Sequence, residues 1–437
     1  MDPASCNFGC RRVLPDLELD MEQLKVATPT VFDTILAPLL ALLREQCAQL
    51  KDDATTYKLS LAPFVLNLVF AVLNGIKSIS LLITEIDSSA VAREIGLIKA
   101  SKSMYSEAFV RYQATIFRNL FLRLLEQLKF LSIPELQLLG YLVCVDGSLI
   151  PAIHTMSWAT YKESANALKI HLALNLNRMI PVQILSTDAN TSERAMLAQL
   201  LEAGVTYIAD RGYLSFRMIR QIIDKQAFFI FRMKSNWNYK IAQALEVSLP
   251  ENWQAFVHEV TDQKIRFSHE SGVHRLVRFS ALGEVYLILT NRFDLKTHEI
   301  IMLYAYRWQI ELFFRCIKRT FNAVHLWAHE RNGVESQFYL YLIVYLLLLS
   351  FKQQCALEDQ PPANTASADE QPPKGIAIDT SASRTPPACG IVTLLWRFAY
   401  ELIDSQNSCA ILKGFPASCR SRRLLARTYL RWIVSFR

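Results

Sequence analysis

Tyr304, Arg307, Glu311 and Lys318 follow one another at steps of three, four and seven residues. At roughly 100° per residue such steps keep all four within about 60° of one another on a helix. One carboxylate is thereby set among two cations and a phenol on a single stripe. Ile310, Phe313, Phe314, Ile317 and Phe321 occupy the adjoining sector and are expected to anchor the helix in a core, while Arg315 and Arg319 extend the positive edge. A rigid stripe of this kind suits gripping a polyanion while a hard metal ion is held beside it. The bland alternative is a solvated helix on which Arg307 and Arg315 pair with Glu311 at i−4 and i+4.

Two more carboxylates stand where strands are expected to end. Residues 141–145 read as a short apolar strand ending at Asp146. Strands at 168–176 and 180–187, joined by a tight turn at Asn177-Arg178, come next, then a helix over 192–203 stopped by Gly204. Residues 205–209 form a further strand ending at Asp210. If the two aspartate-bearing strands lie side by side and parallel, both carboxylates emerge at one sheet edge. Each aspartate alone, before Gly147 or before Arg211-Gly212, also reads as a turn residue. Three acids converging from distant sequence suit phosphoryl transfer at DNA, where two Mg²⁺ ions about 3.5–4 Å apart activate the nucleophile and steady the leaving oxygen. Asp146, Asp210 and Glu311 are the natural set.

The remaining elements must carry these groups. The chain has 437 residues, 51% hydrophobic and 20% charged, with a net charge of +7, enough for two or three domains and compatible with an anionic partner. Nine cysteines without a pairing pattern, and no signal peptide at the N-terminus, lead to the expectation of a reduced, cytoplasmic setting. Cys6 and Cys10 lack companions for a zinc site. The apolar run 338–349 is short of the roughly 20 residues a membrane span needs and reads as a buried core helix.

Helices are expected over 30–50 and 103–131, with two short helices about Gly96 within 90–109. That pair reads either as a DNA-binding helix-turn-helix offering Arg93, Lys99, Lys102 and Arg111 or as an ordinary hairpin. A helix at 214–225, a strand at 227–233 and alternating strands at 265–267, 274–280 and 285–290 follow Asp210. Lys169 and His171, with Lys162 before them, alternate along a strand and could face the active-site side to meet phosphate, the alternative being edge solvation. His325 and His329 have i, i+4 spacing but no third ligand.

The run Tyr304-Ala305-Tyr306-Arg307-Trp308-Gln309-Ile310-Glu311, through Lys318, resembles the Tyr-x2-Arg-x3-Glu-x6-Lys signature of bacterial insertion-sequence transposases of the Asp-Asp-Glu (DDE) type. So do Val145-Asp146-Gly147-Ser148, Ala209-Asp210-Arg211-Gly212-Tyr213, Leu289-Thr290-Asn291 and Asn332-Gly333-Val334-Glu335. The likeness spans about residues 80–350. It implies an α/β fold, a ribonuclease-H-like mixed-sheet catalytic core with a β-rich insertion, preceded by a helical N-terminal domain. The segments are then a helical, possibly DNA-binding 1–135, core 136–234, insertion 235–291 and core 292–352 with the signature helix, and composition alone adds, beyond the likeness, a disordered Pro-rich linker 353–390 and a basic helical tail 391–437 that depart from the family pattern.

The resemblance further implies that Asp146, Asp210 and Glu311 bind Mg²⁺, for which Mn²⁺ may substitute. Tyr304, Arg307 and Lys318 would then hold the phosphate near the cleaved end without reading sequence, with Arg315 and Lys169 as additional DNA contacts. A tryptophan of the insertion would stack on a flipped base. Trp237 is the first candidate for it and Trp253 the second, with plain core packing as the alternative for both. The implied partner is double-stranded DNA, both element ends and target, bound by a homodimer in the bacterial cytoplasm at the nucleoid, with no membrane. The implied function is cleavage at element ends and strand transfer. A nuclease that only hydrolyses, and a catalytically inactive DNA-binding derivative, are the alternatives.

Overall fold

The computed structural model describes residues 31–358 apart from 53–56, 153–154, 162–164, 254–256 and 269–271. Cys6, Cys10, Lys162, residues 359–390 of the expected linker and the basic tail 391–437 lie outside the described residues. Six helices come first: α1 (Val31–Leu50), α2 (Leu61–Leu73), α3 (Ile79–Ser88), α4 (Ala90–Glu94), α5 (Lys102–Arg111) and α6 (Ala114–Gln127). Serine side chains accept from backbone N–H groups at three of their starts, Ser78 from Leu81 (3.2 Å), Ser89 from Ala92 (3.3 Å) and Ser101 from Met104 (3.4 Å), satisfying donors that a helix N-terminus leaves unpaired.

The single helix expected over 103–131 is two. Tyr112 (φ −89°, ψ 108°) and Gln113 (φ −69°, ψ 146°) leave the helical region, although neither is Gly or Pro. A distant side chain absorbs the break. Asn332 Nδ2 donates to the carbonyls of Phe109 (2.8 Å) and Tyr112 (3.1 Å), and its Oδ1 accepts from Ala114 N–H (2.7 Å). Arg111 is occupied within the fold, lying 3.7 Å from the Tyr57 ring centroid and donating to the Leu59 carbonyl. Lys99 pairs with Asp87 at 2.9 Å.

The centre is a ten-stranded mixed sheet. Its strands are β1 (Tyr141–Ala152), β2 (Thr160–Tyr161), β3 (Ala165–Asn175), β4 (Ile180–Asp188), β5 (Val205–Ala209), β6 (Phe228–Arg232), β7 (Lys240–Ala244), β8 (His258–Arg266), β9 (His274–Ala281) and β10 (Glu284–Thr290). The order is β2-β3-β1-β5-β6-β10-β9-β8-β7, with β4 also on β3. β1, β5 and β6 run parallel, and every other pairing is antiparallel. The parallel crossovers carry α7 (Glu193–Gln199) and α8 (Phe216–Asp224), whose Met218, Ile219 and Ile222 are buried. The strands of the expected insertion, β7 to β10, thus continue the same sheet.

Two apolar layers cover the sheet. One face packs on α7 and α8 through Val143, Val145, Tyr207, Ala209 and Phe229. The other, through Leu142, Cys144, Ile208 and Ile230, shares one continuous core with the N-terminal helices, α9 (Thr297–Tyr306), α10 (Trp308–Arg315) and α11 (Arg331–Glu358). α11 runs six residues past the expected start of the linker at 353. It is the one helix among the described residues long and apolar enough to cross a membrane, and 67% of its apolar window is buried in the protein. Leu340, Leu342, Ile343 and Leu346 are fully covered, each such burial stabilising by about 1.5–3 kcal/mol.

A buried polar network ties β8 and β9 to the start of α9. Arg275 donates to Asp262 through Nε (2.9 Å) and Nη2 (2.6 Å), and its Nη1 reaches the carbonyls of Arg292 (3.0 Å) and Leu295 (2.5 Å). Thr297 Oγ1 donates to Asp262 at 2.8 Å. Arg292 in turn bridges the Leu139 carbonyl before β1 (3.1 Å) and Thr206 Oγ1 on β5 (2.6 Å). Through these two arginines the helix that carries Tyr304 is fixed against the strands that carry the aspartates.

Candidate active site

Asp146 does not end its strand. β1 continues to Ala152 because its other edge pairs with β3 through the register Asp146↔Leu172 to Ala152↔Asn166. Its parallel pairing with β5 does stop there, at Cys144↔Ile208. Asp146 and Asp210 each lie two residues beyond that pair, so strand alternation puts both on the face of Cys144 and Ile208. That is the face on which α9 and α10 pack, and Cys144 Sγ lies 3.7 Å from the Arg307 carbonyl.

The stripe is not on one uninterrupted helix. α9 ends at Tyr306, α10 begins at Trp308, and Cys316–Thr320 forms a wider turn closed by Phe321 N–H on the Cys316 carbonyl (3.2 Å). Turns of this π type recur at functional sites. Arg307 keeps helical dihedrals (φ −52°, ψ −32°), so Tyr304, Arg307 and Glu311 remain on one side. The widened turn takes Lys318 onto β1, where its Nζ donates to the Leu149 carbonyl at 2.8 Å. Burial lowers the Lys318 pKa and nearby Asp146 opposes that shift.

Tyr304 Oη donates to Asp210 Oδ1 at 3.3 Å, and Arg307 Nη2 lies 2.8 Å from Glu311 Oε1. Burial and the neighbouring Asp210 raise the Tyr304 pKa against the pull of Arg307. Burial alone would weaken the charge on Arg307, but Tyr304 and Glu311 hold it firmly protonated. Burial pushes Asp146 up to about 6. The Gly147 N–H (2.8 Å) and Arg307 act against this, and Glu311 and Glu193 reinforce it.

The sign of that shift is testable. A folded pKa above the ordinary 3.8 stabilises the protein fully below 3.8, and the contribution is lost as pH rises through about 6. Ionised Asp146 in metal-free protein therefore costs on the order of 2 kcal/mol near neutral pH. Asp146→Asn is expected to raise the urea-unfolding free energy by about 1–3 kcal/mol near neutral pH and to give no gain near pH 3.5. Equal effects at the two pH values would contradict this.

Glu193 joins the site without having been expected. A Cβ on Gly147 would come within 2.9 Å of its Oε1, and one on Gly212 within 3.6 Å of its Oε2. The carboxylate thus sits between the segments that follow the two aspartates, and glycine at 147 leaves it room. The sequence offered only a Ser-Glu helix start, which looks like ordinary capping.

Lys169 is across from Leu149 and His171 from Gly147, so they project from the α7 face, opposite to the expected one. Lys169 pairs with Glu193 (3.4 Å) and donates to the Thr191 carbonyl (3.4 Å). His171 bonds Thr187 (2.9 Å), and burial lowers its pKa to about 4, which leaves it uncharged at neutral pH. Trp237 packs on Phe216 (centroids 4.5 Å apart) and Phe267 (5.5 Å), and Trp253 lies edge-on to His298 (5.9 Å), both rings remaining half-buried. Arg315 is half-buried at the end of α10. His325 and His329 are in a non-helical connection, which removes the basis for an i, i+4 pair.

Beyond the carboxyl ends of β5 and β6 a cavity of about 330 Å³ is lined by Arg211, Arg232, Lys234 and Asn236 over Val285 and Leu287. Arg232 sits 4.5 Å over the Tyr286 ring, which is 6.2 Å from the Tyr304 ring. Arg232 also pairs with Glu284 at 3.1 Å, so its charge beside the stripe is partly balanced. Among the described residues no three His, Cys, Asp or Glu side chains converge closely enough to hold a metal ion.

Residues 138–347 match the family of the transposase DDE domain. Asp146, Asp210, Tyr304, Arg307, Glu311 and Lys318 all fall in that stretch. The chain is 28% identical over 211 residues to the putative transposase y4zB of Sinorhizobium fredii, covering 47% of this chain and 59% of that protein. It is 26% identical over 197 residues to the probable transposase for insertion sequence element IS5377 of Geobacillus stearothermophilus, covering 44% and 52%. The chain thus spans between half and three-fifths of the length of these two relatives. A putative transposase for insertion sequence element IS4SA of Synechocystis is 22% identical over 256 residues, covering 56% of this chain and 70% of that one. Among solved structures, endonuclease V of Bacillus subtilis matches at 10% identity over 56% of this chain and 96% of that one, with a TM-score of 0.21, a likeness too slight to carry an argument.

Proposed function

We propose that this chain is an insertion-sequence transposase that cuts DNA at the ends of its element and joins the freed 3′-hydroxyls to target DNA. The observation that carries this reading is the gathering of Asp146, Asp210 and Glu311 on one sheet face, interleaved with Tyr304, Arg307 and Lys318, within the stretch that matches the transposase DDE domain. The sheet, with parallel β1, β5 and β6 beside antiparallel β3 and β4 and helices on both faces, supports reading the core as ribonuclease-H-like, with the strands after β6 as its insertion. Double-stranded DNA as the partner, a homodimer on that DNA and a bacterial cytoplasmic setting belong to the same reading.

A divalent cation also belongs to it, Mg²⁺ with Mn²⁺ as a substitute. Bound, it would supply the Lewis acid that activates the attacking oxygen and steadies the leaving one. The donor chemistry fits, since carboxylates are the hard ligands such ions take. The positions in the described conformation do not, since no three such side chains converge among the described residues. The chain's own groups hold the substrate. Arg307 offers a planar fork to a phosphate, Lys318 a point charge and Tyr304 a hydroxyl, and the cavity at Arg211, Arg232 and Lys234 continues the grip along the backbone. None of these groups reads a base edge, so they set position rather than sequence.

Incubating the protein with Mg²⁺ or Mn²⁺ and DNA bearing the element's terminal repeats is expected to give joined products. Nicks without joining would favour a hydrolytic nuclease. Salt-sensitive binding without cleavage under either metal would point to a DNA-binding derivative.

A further inference from the structure

β7 ends the sheet. β8 pairs with one of its edges and, among the described residues, no strand pairs with the other, while all five of its residues are exposed. The far end of the sheet differs, because α11 lies over β4, where Arg331 Nη2 donates to the Ser186 carbonyl (3.2 Å) and Glu335 accepts from Ser186 Oγ (2.9 Å). Leu245 continues β7 by donating its N–H to the Asp262 carbonyl on β8 (2.8 Å). By the alternation of an antiparallel ladder, the N–H and C=O of Ala244 and Glu246 then turn to the open side. Edge strands are ordinarily guarded from further pairing by charge, proline or a bulge. Here only a bulge is present, at Ala242, which the register with β8 passes over. Residues 241–245 carry neither a charge nor a proline, and Ile241 leaves 59% of its surface in solvent.

This edge is its own complement. Residues 240–246 are Lys-Ile-Ala-Gln-Ala-Leu-Glu, and reversed they are Glu-Leu-Ala-Gln-Ala-Ile-Lys. Laid antiparallel on a second copy about Gln243, Lys240 faces Glu246, Ile241 faces Leu245, Ala242 faces Ala244 and Gln243 faces itself. Both ends then carry an ion pair flanked by an aliphatic pair, kinds of cross-strand contact that stabilise a sheet, and two-fold symmetry repeats each of them. A slip of two residues sets Lys240 against Ala244 or Ser248 and loses the pattern. We propose that two copies of this chain pair antiparallel through β7, about a two-fold axis at Gln243, joining their ten-stranded sheets into one without DNA. The pairing goes beyond the functional reading above, which places a homodimer on DNA without giving its surface. Seven residues a side are fewer than the roughly 20–30 of a standard interface, so this dimer is weak and exchanges readily.

The test is disulfide trapping of the full chain with oxidised glutathione, without DNA or metal. In the proposed register the two copies of residue 243 stand directly opposite, within disulfide reach, whereas the two copies of 242, and those of 244, lie on a diagonal beyond it. Gln243→Cys is expected to form a cross-linked dimer at least about tenfold faster than Ala242→Cys, Ala244→Cys or the unaltered protein, whose own nine cysteines set the background. Added to Gln243→Cys, Lys240→Glu or Glu246→Lys sets like charges opposite one another at both ends and is expected to slow trapping by about tenfold. Mixed in equal amounts, the two charge variants again face opposite charges at both ends, and the mixture is expected to regain the rate.

Trapping accumulates even a weak pair, so the absence of a cross-linked Gln243→Cys dimer overturns the pairing. Cross-linking at 243 no faster than at 242 and 244 overturns it as well. So do dimers that survive both single charge variants, which form through another face, and a mixture that traps no faster than its parts. All of the substitutions fall on exposed side chains of the sheet edge, and thermal melts beside each reaction confirm folded protein. None of these outcomes bears on cleavage or joining of DNA, so the failure of the pairing leaves the transposase reading standing, and the reverse holds.

Discussion

Glu311→Gln is expected to lower cleavage and joining of terminal-repeat DNA on the order of 10³-fold or more, while leaving stability within about 1 kcal/mol of the starting protein. The first figure is the scale on which removing one charge-handling group from a reacting centre is felt. The second follows from geometry. Glu311 makes an i, i+4 pair with Arg307 and keeps a third of its side chain in solvent, and such pairs contribute well under 1 kcal/mol. Gln retains an acceptor for Arg307 Nη2, so the guanidinium keeps a hydrogen bond. Single-turnover assays beside thermal melts separate the two effects. A variant that loses activity only in proportion to lost folded protein would show Glu311 to be a structural group.

Arg275→Met is expected to have the largest effect on stability, a loss of about 3–5 kcal/mol. Asp262 is fully covered and the Arg275 side chain is 5% exposed, so removal of the guanidinium strands a buried carboxyl group whose remaining side-chain donor among the described residues is Thr297 Oγ1. Two carbonyls, of Arg292 and Leu295, lose their partner as well. Most of the loss is the penalty of the orphaned charge rather than the worth of the pair, and the double variant Asp262→Asn/Arg275→Met is therefore expected to recover part of it. Urea unfolding of the two variants measures both quantities. A single-variant loss below about 1 kcal/mol would mean that water reaches Asp262 and that the network is not dry.

Part of the candidate site's geometry is legible in the sequence because short-range signals coincide there. The strand at 205–209 was bounded by Gly204 and Asp210 and is β5 without change. The steps from Tyr304 to Arg307 to Glu311 kept those residues on one side even though the helix is interrupted between the first and the last. What failed depends on partners far away in sequence. β1 runs through Asp146 because β3 pairs with it to the end, and nothing in residues 146–152 announces that partner. The face taken by Lys169 and His171 follows from the same register, and a frame one residue off sends both to the other side of the sheet. The break at Tyr112 carries no glycine or proline and is held by Asn332, 220 residues downstream of Tyr112. Glu193 carried a capping signal that masked its place between Gly147 and Gly212. β7 is exposed along its whole length and so lacks the alternation by which strands are recognised.

The Asn332 side chain, with one carboxamide spread over the end of α5 and the start of α6, also limits how the N-terminal helices can move. They are joined to α11 by hydrogen bonds and to the sheet by a common apolar core, not slung from it on a tether. Whatever α5 touches is held at a set offset from Asp146, as between the jaws of a gauge. On the proposed reading, and only if α5 meets the duplex, spacing along it would be measured by the packed interior of the protein, and a substitution deep in that interior would alter the ruler.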